Sequence, residues 1–210
     1  MLRRRLIGLA CAAMALFGGR PALADTRAGI AAYQRGDYAT AMSQLERAAR
    51  SGDAQAHYNL GIAYAEGKAV PQDGTKAVEH YRAGANKGSV LAAFNLAQAY
   101  RKGEGVAQNY AQAAKWYEFA AKRGDYRAGN ELGILYVEGK GVRRDPVEGF
   151  AWIYPATHMD IMDDKAMANA MQLAGTLTRE QIQTAQARGQ SYYKRYMAPN
   201  QRVVRTLKGQ

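Results

Sequence analysis

Leu60, Leu96 and Leu132 stand thirty-six residues apart, and the same interval recurs without insertion at many other positions. In register are Ala56, Ala92 and Ala128; Tyr64, Tyr100 and Tyr136; Gly67, Gly103 and Gly139; Val70, Val106 and Val142; and His80, Trp116 and Trp152. A fixed period of this length constrains a chain more tightly than composition does. Each unit is one supersecondary element that cannot bury its apolar face alone, so successive units must stack.

Within a unit the apolar spacing is helical. Ala56, Leu60 and Tyr64 fall four apart with Ala63 beside them, which predicts a helix over about Ala54 to Glu66 stopped by Gly67. Ala77, Tyr81 and Ala85 repeat the spacing in a second helix closed by Gly88. Asp53, Ser89 and Asp125 precede the first helices and Asp73, Asn109 and Asp145 the second, all preferred N-caps. Pro146 suits the first helical position after Asp145, and Glu148 completes a box-like cap. Pro155 interrupts the second helix of the third unit.

The flanks divide around this array. Residues 25–52 form an atypical helix pair, with a helix over about Thr26 to Arg35 joined by a tight Gly36-Asp37 turn. Residues 53–160 hold three 36-residue units. Residues 161–198 form closing helices near Ile161 to Ala174 and Arg179 to Tyr196, the latter opened by a Thr178–Gln181 capping box and a Leu177–Ile182 staple. The basic tail, residues 199–210, is expected to be disordered. The fold class is all-α, a right-handed α-α superhelix of antiparallel helix pairs.

The fragments "LGIAYAEGKAVPQD", "LAQAYRKGEGVAQNYAQAAKWYEFAAKRG" and "LGILYVEGKGVRRDPVEGFAW" resemble the Sel-one-like repeat family, a relative of the tetratricopeptide repeat. The resemblance covers Asp53 to about Tyr154, and "LTREQIQTAQ" is similar to the C-terminal helix that often closes such proteins. It implies a solenoid whose first helices line a concave face that binds peptides or proteins. Asn59 and Asn95 sit just before the repeat leucine, where tetratricopeptide domains often place an asparagine that bonds a ligand backbone. Gln55, Gln98, Arg127 and Glu131 share the expected face, although Glu131 breaks the asparagine series. Ala69 departs from the pattern at the second loop glycine, and Ala97 stands where the other units have Gly61 and Gly133.

Residues 1–24 read as a signal peptide cleaved near Ala24. Arg3, Arg4 and Arg5 precede an apolar run to Phe17 too short to span a bilayer, and Ala22-Leu23-Ala24 follows. Gly8 disfavours acylation at Cys11. The expected location is therefore periplasmic or secreted, and removal of Cys11, the only cysteine, leaves no disulfide or thiol chemistry. Of the net +11 charge the leader carries four arginines, leaving +7, of which +5 lies beyond Asp160. No basic stripe follows the array, so a nucleic-acid partner is not expected. The tail is the candidate for contact with an anionic envelope surface.

Neither metal ligands nor catalytic groups recur at a recognisable spacing. "EGKGVRRDP" lacks the third glycine of G-x-G-x-x-G and does not fit G-x-x-x-x-G-K-[ST], so it reads as a helix stop at Gly139, an anchor at Val142 and a cap at Asp145, with Arg143 and Arg144 unassigned. His57, His80 and His158 read as isolated, and Trp116 and Trp152 as core. Expected, then, is a non-enzymatic exported adaptor without cofactor, binding a protein or peptide. Its oligomeric state is not read from the sequence. The alternative is a cell-wall-associated or β-lactam-binding hydrolase, although the family members linked to β-lactams look cysteine-rich.

Overall fold

In the computed structural model, residues 21–158 and 161–208 are described, with side chains from 26 to 207 apart from 159 and 160. Most of the expected leader lies outside the described residues. The first pair comprises α1 (Pro21–Gln34), which begins within the residues expected to form the leader, and α2 (Tyr38–Arg50). The three repeats comprise α3 (Ala54–Glu66) with α4 (Gly74–Asn86), α5 (Val90–Lys102) with α6 (Tyr110–Ala121), and α7 (Tyr126–Glu138) with α8 (Pro146–Ile153). α9 (Asp164–Ala174), α10 (Arg179–Tyr192) and α11 (Gln201–Lys208) follow. All described regular structure is helical.

All six repeat caps form. Asp53 and Asp125 each accept from two amides of the first helical turn, Ser89 from Ala92, Asp73 from Lys76, Asn109 from Gln112 and Asp145 from Glu148. The box at Asp145 does not close as expected. The Glu148 carboxylate instead accepts from the Tyr192 hydroxyl at 2.7 Å and Arg188 at 3.3 Å, because α10 lies along α8 and offers stronger donors than a backbone amide. The Thr178–Gln181 box is complete.

The loop that resembled a phosphate cradle is a repeated joint. Gly67, Gly103 and Gly139 end the first helices in the left-handed region, at φ of 70°, 79° and 69°. The amides of Asp73, Asn109 and Asp145 then donate back to the carbonyls of Tyr64, Tyr100 and Tyr136. Arg144 finds its role here: its Nε donates to Val137 O at 3.1 Å, as Gln72 does to Ala65 O and Gln108 to Arg101 O. A side chain five residues beyond the glycine thus satisfies an orphan carbonyl at each helix end.

Consecutive helices from α1 to α8 pack as antiparallel pairs, and α1 also touches α3 and α3 touches α5, so the first helices gather on the inner side of the superhelix. Leu60, Leu96 and Leu132 are almost wholly buried between the pairs, with Ala56, Ala92 and Ala128 letting the backbones approach. Trp152 is buried, stacked on Tyr192 at 4.5 Å, whereas Trp116 is only half-buried against Phe119, so core packing holds for one indole and not fully for the other.

α8 spans only eight residues before Pro155 turns the chain into a 3-10 turn, Tyr154–Thr157. The C-terminal region corrects two expectations. The last long helix ends at Tyr192 and passes through a π-helical turn, Tyr193–Met197. The tail expected to be disordered forms α11, because Val204 and Leu207 lie one turn apart and are buried with Tyr126, Ile161 and Met197. Arg202 and Arg205 stay exposed. Beside them Thr206 is exposed and Val203 half-buried.

Candidate binding groove

The inner face is built around Tyr58 of α3, Phe94 of α5 and Arg127 of α7. The Arg127 guanidinium lies 4.6 Å from the Phe94 ring, and its charge reaches the Tyr58 phenol. Burial, the larger influence, pushes that phenol up. Arg127 is also held by the buried Asp125 carboxylate, with Nη2 3.2 Å from Oδ2. It stays partly exposed on the expected face, oriented by this pairing.

Glu131, by contrast, is internal. Only 5% exposed, it accepts from Lys165 Nζ at 2.5 Å and lies 3.8 Å from Arg101 Nε. A buried carboxylate needs such partners, and its place in the asparagine series reflects this pairing. The Tyr117 hydroxyl is buried beside Arg101, and desolvation holds this phenol well above its ordinary value. Asn130, the neighbour of Glu131, accepts from Asn169 Nδ2 at 2.9 Å.

The amides divide between two places. Asn59 Nδ2 donates to the Gln55 carbonyl of its own helix at 2.7 Å, while Asn95 meets the Tyr81 hydroxyl on α4. Asn95 and Gln98 line a cleft of about 530 Å³ with Tyr81, Val78, Ala99 and Lys102. Gln55 lines a second cleft, of about 540 Å³, whose other wall is α11 through Arg202, Val203, Thr206 and Leu207. The six expected residues thus make no single ladder.

Arg101, Lys165, Asn130 and Asn169 were not anticipated. Arg101 sits in a helix-end position that carries Ala65 and Val137 in the other units, and its charge was the available signal. Lys165 and Asn169 lie beyond the repeats, where the period gives no register. Around Glu131 two cations face one carboxylate, which leaves the cluster with net positive charge. Such a surface orients amide and carboxylate groups. Among the described residues no group of three or more His, Cys, Asp or Glu side chains is placed to hold a metal ion.

The histidines expected to stand alone include two that do not. His57 and His80 meet across α3 and α4 with Nδ1 atoms 3.2 Å apart, while His158 stacks on Tyr193 at 3.8 Å.

The Sel1 repeat matches residues 54–89, 90–125 and 127–160, half of the chain. The chain belongs to the Sel1 repeat family. Its structure is similar to c5321, described as a protective antigen present in uropathogenic Escherichia coli strains displaying an SLR fold. Identity to c5321 is 35% and the TM-score 0.70, over 81% of this chain and 36% of that one, so it spans little more than a third of that protein. A Sel1 repeat protein from Oxalobacter formigenes is similar at 27% identity and a TM-score of 0.67, over 76% of this chain and 67% of that one. No curated protein matches the chain. Sel1 repeats generally serve as non-catalytic helical scaffolds for protein–protein interaction.

Proposed function

We propose that this Sel1 repeat protein is an exported adaptor of the bacterial envelope that binds a protein or peptide segment along its inner face. One observation carries the reading: the cleft of about 530 Å³ places Asn95 and Gln98 over an apolar floor of Val78 and Ala99. Amides above apolar surface suit an extended peptide, whose backbone needs both donors and acceptors while its side chains seek apolar contact. Lys102, which lines the same cleft, offers a charged donor to a ligand's carbonyl or carboxylate oxygens.

Export rests on the basic, apolar and small-residue order of residues 1–24. N-terminal sequencing of the chain recovered from the periplasm of a bacterial host should begin at Asp25. Recovery of the intact N-terminus from the cytoplasm would reject export.

Photocrosslinking in intact cells from a probe at Gln98 should capture a partner, with capture lost in Asn95→Ala plus Lys102→Glu. Capture that persists in that double variant would reject this groove.

A further inference from the structure

His57 lies on α3 and His80 on α4, twenty-three residues apart. One and two repeats on, the equivalent pairs are Ala93 with Trp116 and Gly129 with Trp152. A Cβ at Gly129 would stand 3.0 Å from the Trp152 carbonyl oxygen, so the two helices approach closely there. Only in the first repeat do both positions carry imidazoles, and there the two rings meet.

We propose that His57 and His80 form a two-imidazole site for a divalent late transition-metal ion, Cu(II) foremost, with its remaining coordination positions open to water. Two nitrogens each about 2.0–2.1 Å from one ion stand about 2.9 Å apart at a right angle and about 3.4 Å apart at the tetrahedral angle. The observed 3.2 Å between Nδ1 atoms falls between these limits. Imidazole suits copper, nickel and zinc, and affinity rises to copper and falls again at zinc.

The surroundings favour the ligating form. Burial holds both imidazoles below their ordinary value, and for His57 the neighbouring His80 and then Lys87 act in the same direction. Asp53 opposes this for His57 and Glu79 for His80, both more weakly than burial. Neutral rings are what a metal requires. Without an ion, one Nδ1–H donates to the other Nδ1. Binding moves that proton to Nε2 of its own ring and releases none. Tyr64 stacks on His80 at 5.6 Å with planes 9° apart and so fixes the ring that presents Nδ1.

The test is a Cu(II) titration of the tag-free chain carrying Cys11→Ala, followed by calorimetry and electron paramagnetic resonance at neutral pH. One ion per chain with coupling to two nitrogens is expected. His57→Ala and His80→Trp install side chains that the other repeats carry, and each should weaken binding more than about tenfold. His158→Gln should leave it unchanged. His57→Gln and His80→Gln provide a second pair should either repeat-derived substitution unfold. Absence of a stoichiometric site in the parent, or binding unchanged by these substitutions, would overturn the proposal.

Discussion

Lys165 Nζ lies 2.5 Å from Glu131 Oε1, so a residue outside the repeats holds the buried carboxylate of the third. Lys165 itself is largely exposed, and solvent screens its share of the pair. Lys165→Met should therefore cost only about 1 kcal/mol in urea denaturation. Glu131→Leu leaves Arg101 without its carboxylate but removes a buried charge, and should cost no more than Lys165→Met. A loss several times larger for Glu131→Leu would show that the Arg101 contact dominates.

The second loop glycine answers to a neighbouring unit. A Cβ on Gly141, at φ 72°, would stand 2.2 Å from the Tyr110 carbonyl carbon, where the third repeat's loop meets the start of α6. Gly141→Ala should cost roughly 2–3 kcal/mol from this clash together with left-handed strain. Ala69, its counterpart in the first repeat, does not have a positive φ, so Ala69→Gly should gain nothing. Thermal melting of both variants checks the contrast.

The two indoles at equivalent positions should separate in energy. Trp152 is 4% exposed and stacked between α8 and the closing helices, so Trp152→Ala should cost about 3–5 kcal/mol. Half-buried Trp116 should cost about 1 kcal/mol on the same change. Equal losses would mean that Trp116 is covered in solution.

Removal of α11 should destabilise the array. Leu207 is 4% exposed, and Leu207→Ala should cost about 2–3 kcal/mol, whereas Arg205→Ala should be neutral within about 0.5 kcal/mol. A melting temperature unmoved by Leu207→Ala would return the tail to disorder.

In chelator, stability should fall on mild acidification. His57 and His80 have folded-state values below their unfolded ones, so the unfolded chain takes up protons first. The contribution is complete above the unfolded imidazole value of about 6.5 and is lost as pH falls through it toward the folded values. Melting at about pH 7.5 and about pH 5 should differ less in a His57→Ala/His80→Trp double variant than in the parent. An identical difference would assign the pH response to other groups.

Much of the repeat region was legible because its signals are local. A helix stop needs only Gly67, Gly103 or Gly139, and a start needs a cap within three residues. The candidate groove was legible only by half. Asn95 and Gln98 do reach a cleft, whereas Arg127 and Glu131, placed on the same face by spacing, are held by Asp125 and by Lys165. Spacing assigns a face, but whether a charged side chain there meets solvent or a counter-ion depends on its partners, for Arg127 the cap of its own helix and for Glu131 a helix far along the chain.

The thirty-six-residue period, read alone, settles the helices, their caps and the order in which they stack, because each arises from contacts within a few residues or between identical units. Three features wait for the tertiary structure: the meeting of His57 with His80, the clasp of Lys165 on Glu131, and the docking of Val204 and Leu207. Each joins partners outside the period or at a place where one repeat departs from the others. Such pairings are chosen by burial and by unmet polar groups once the superhelix has formed.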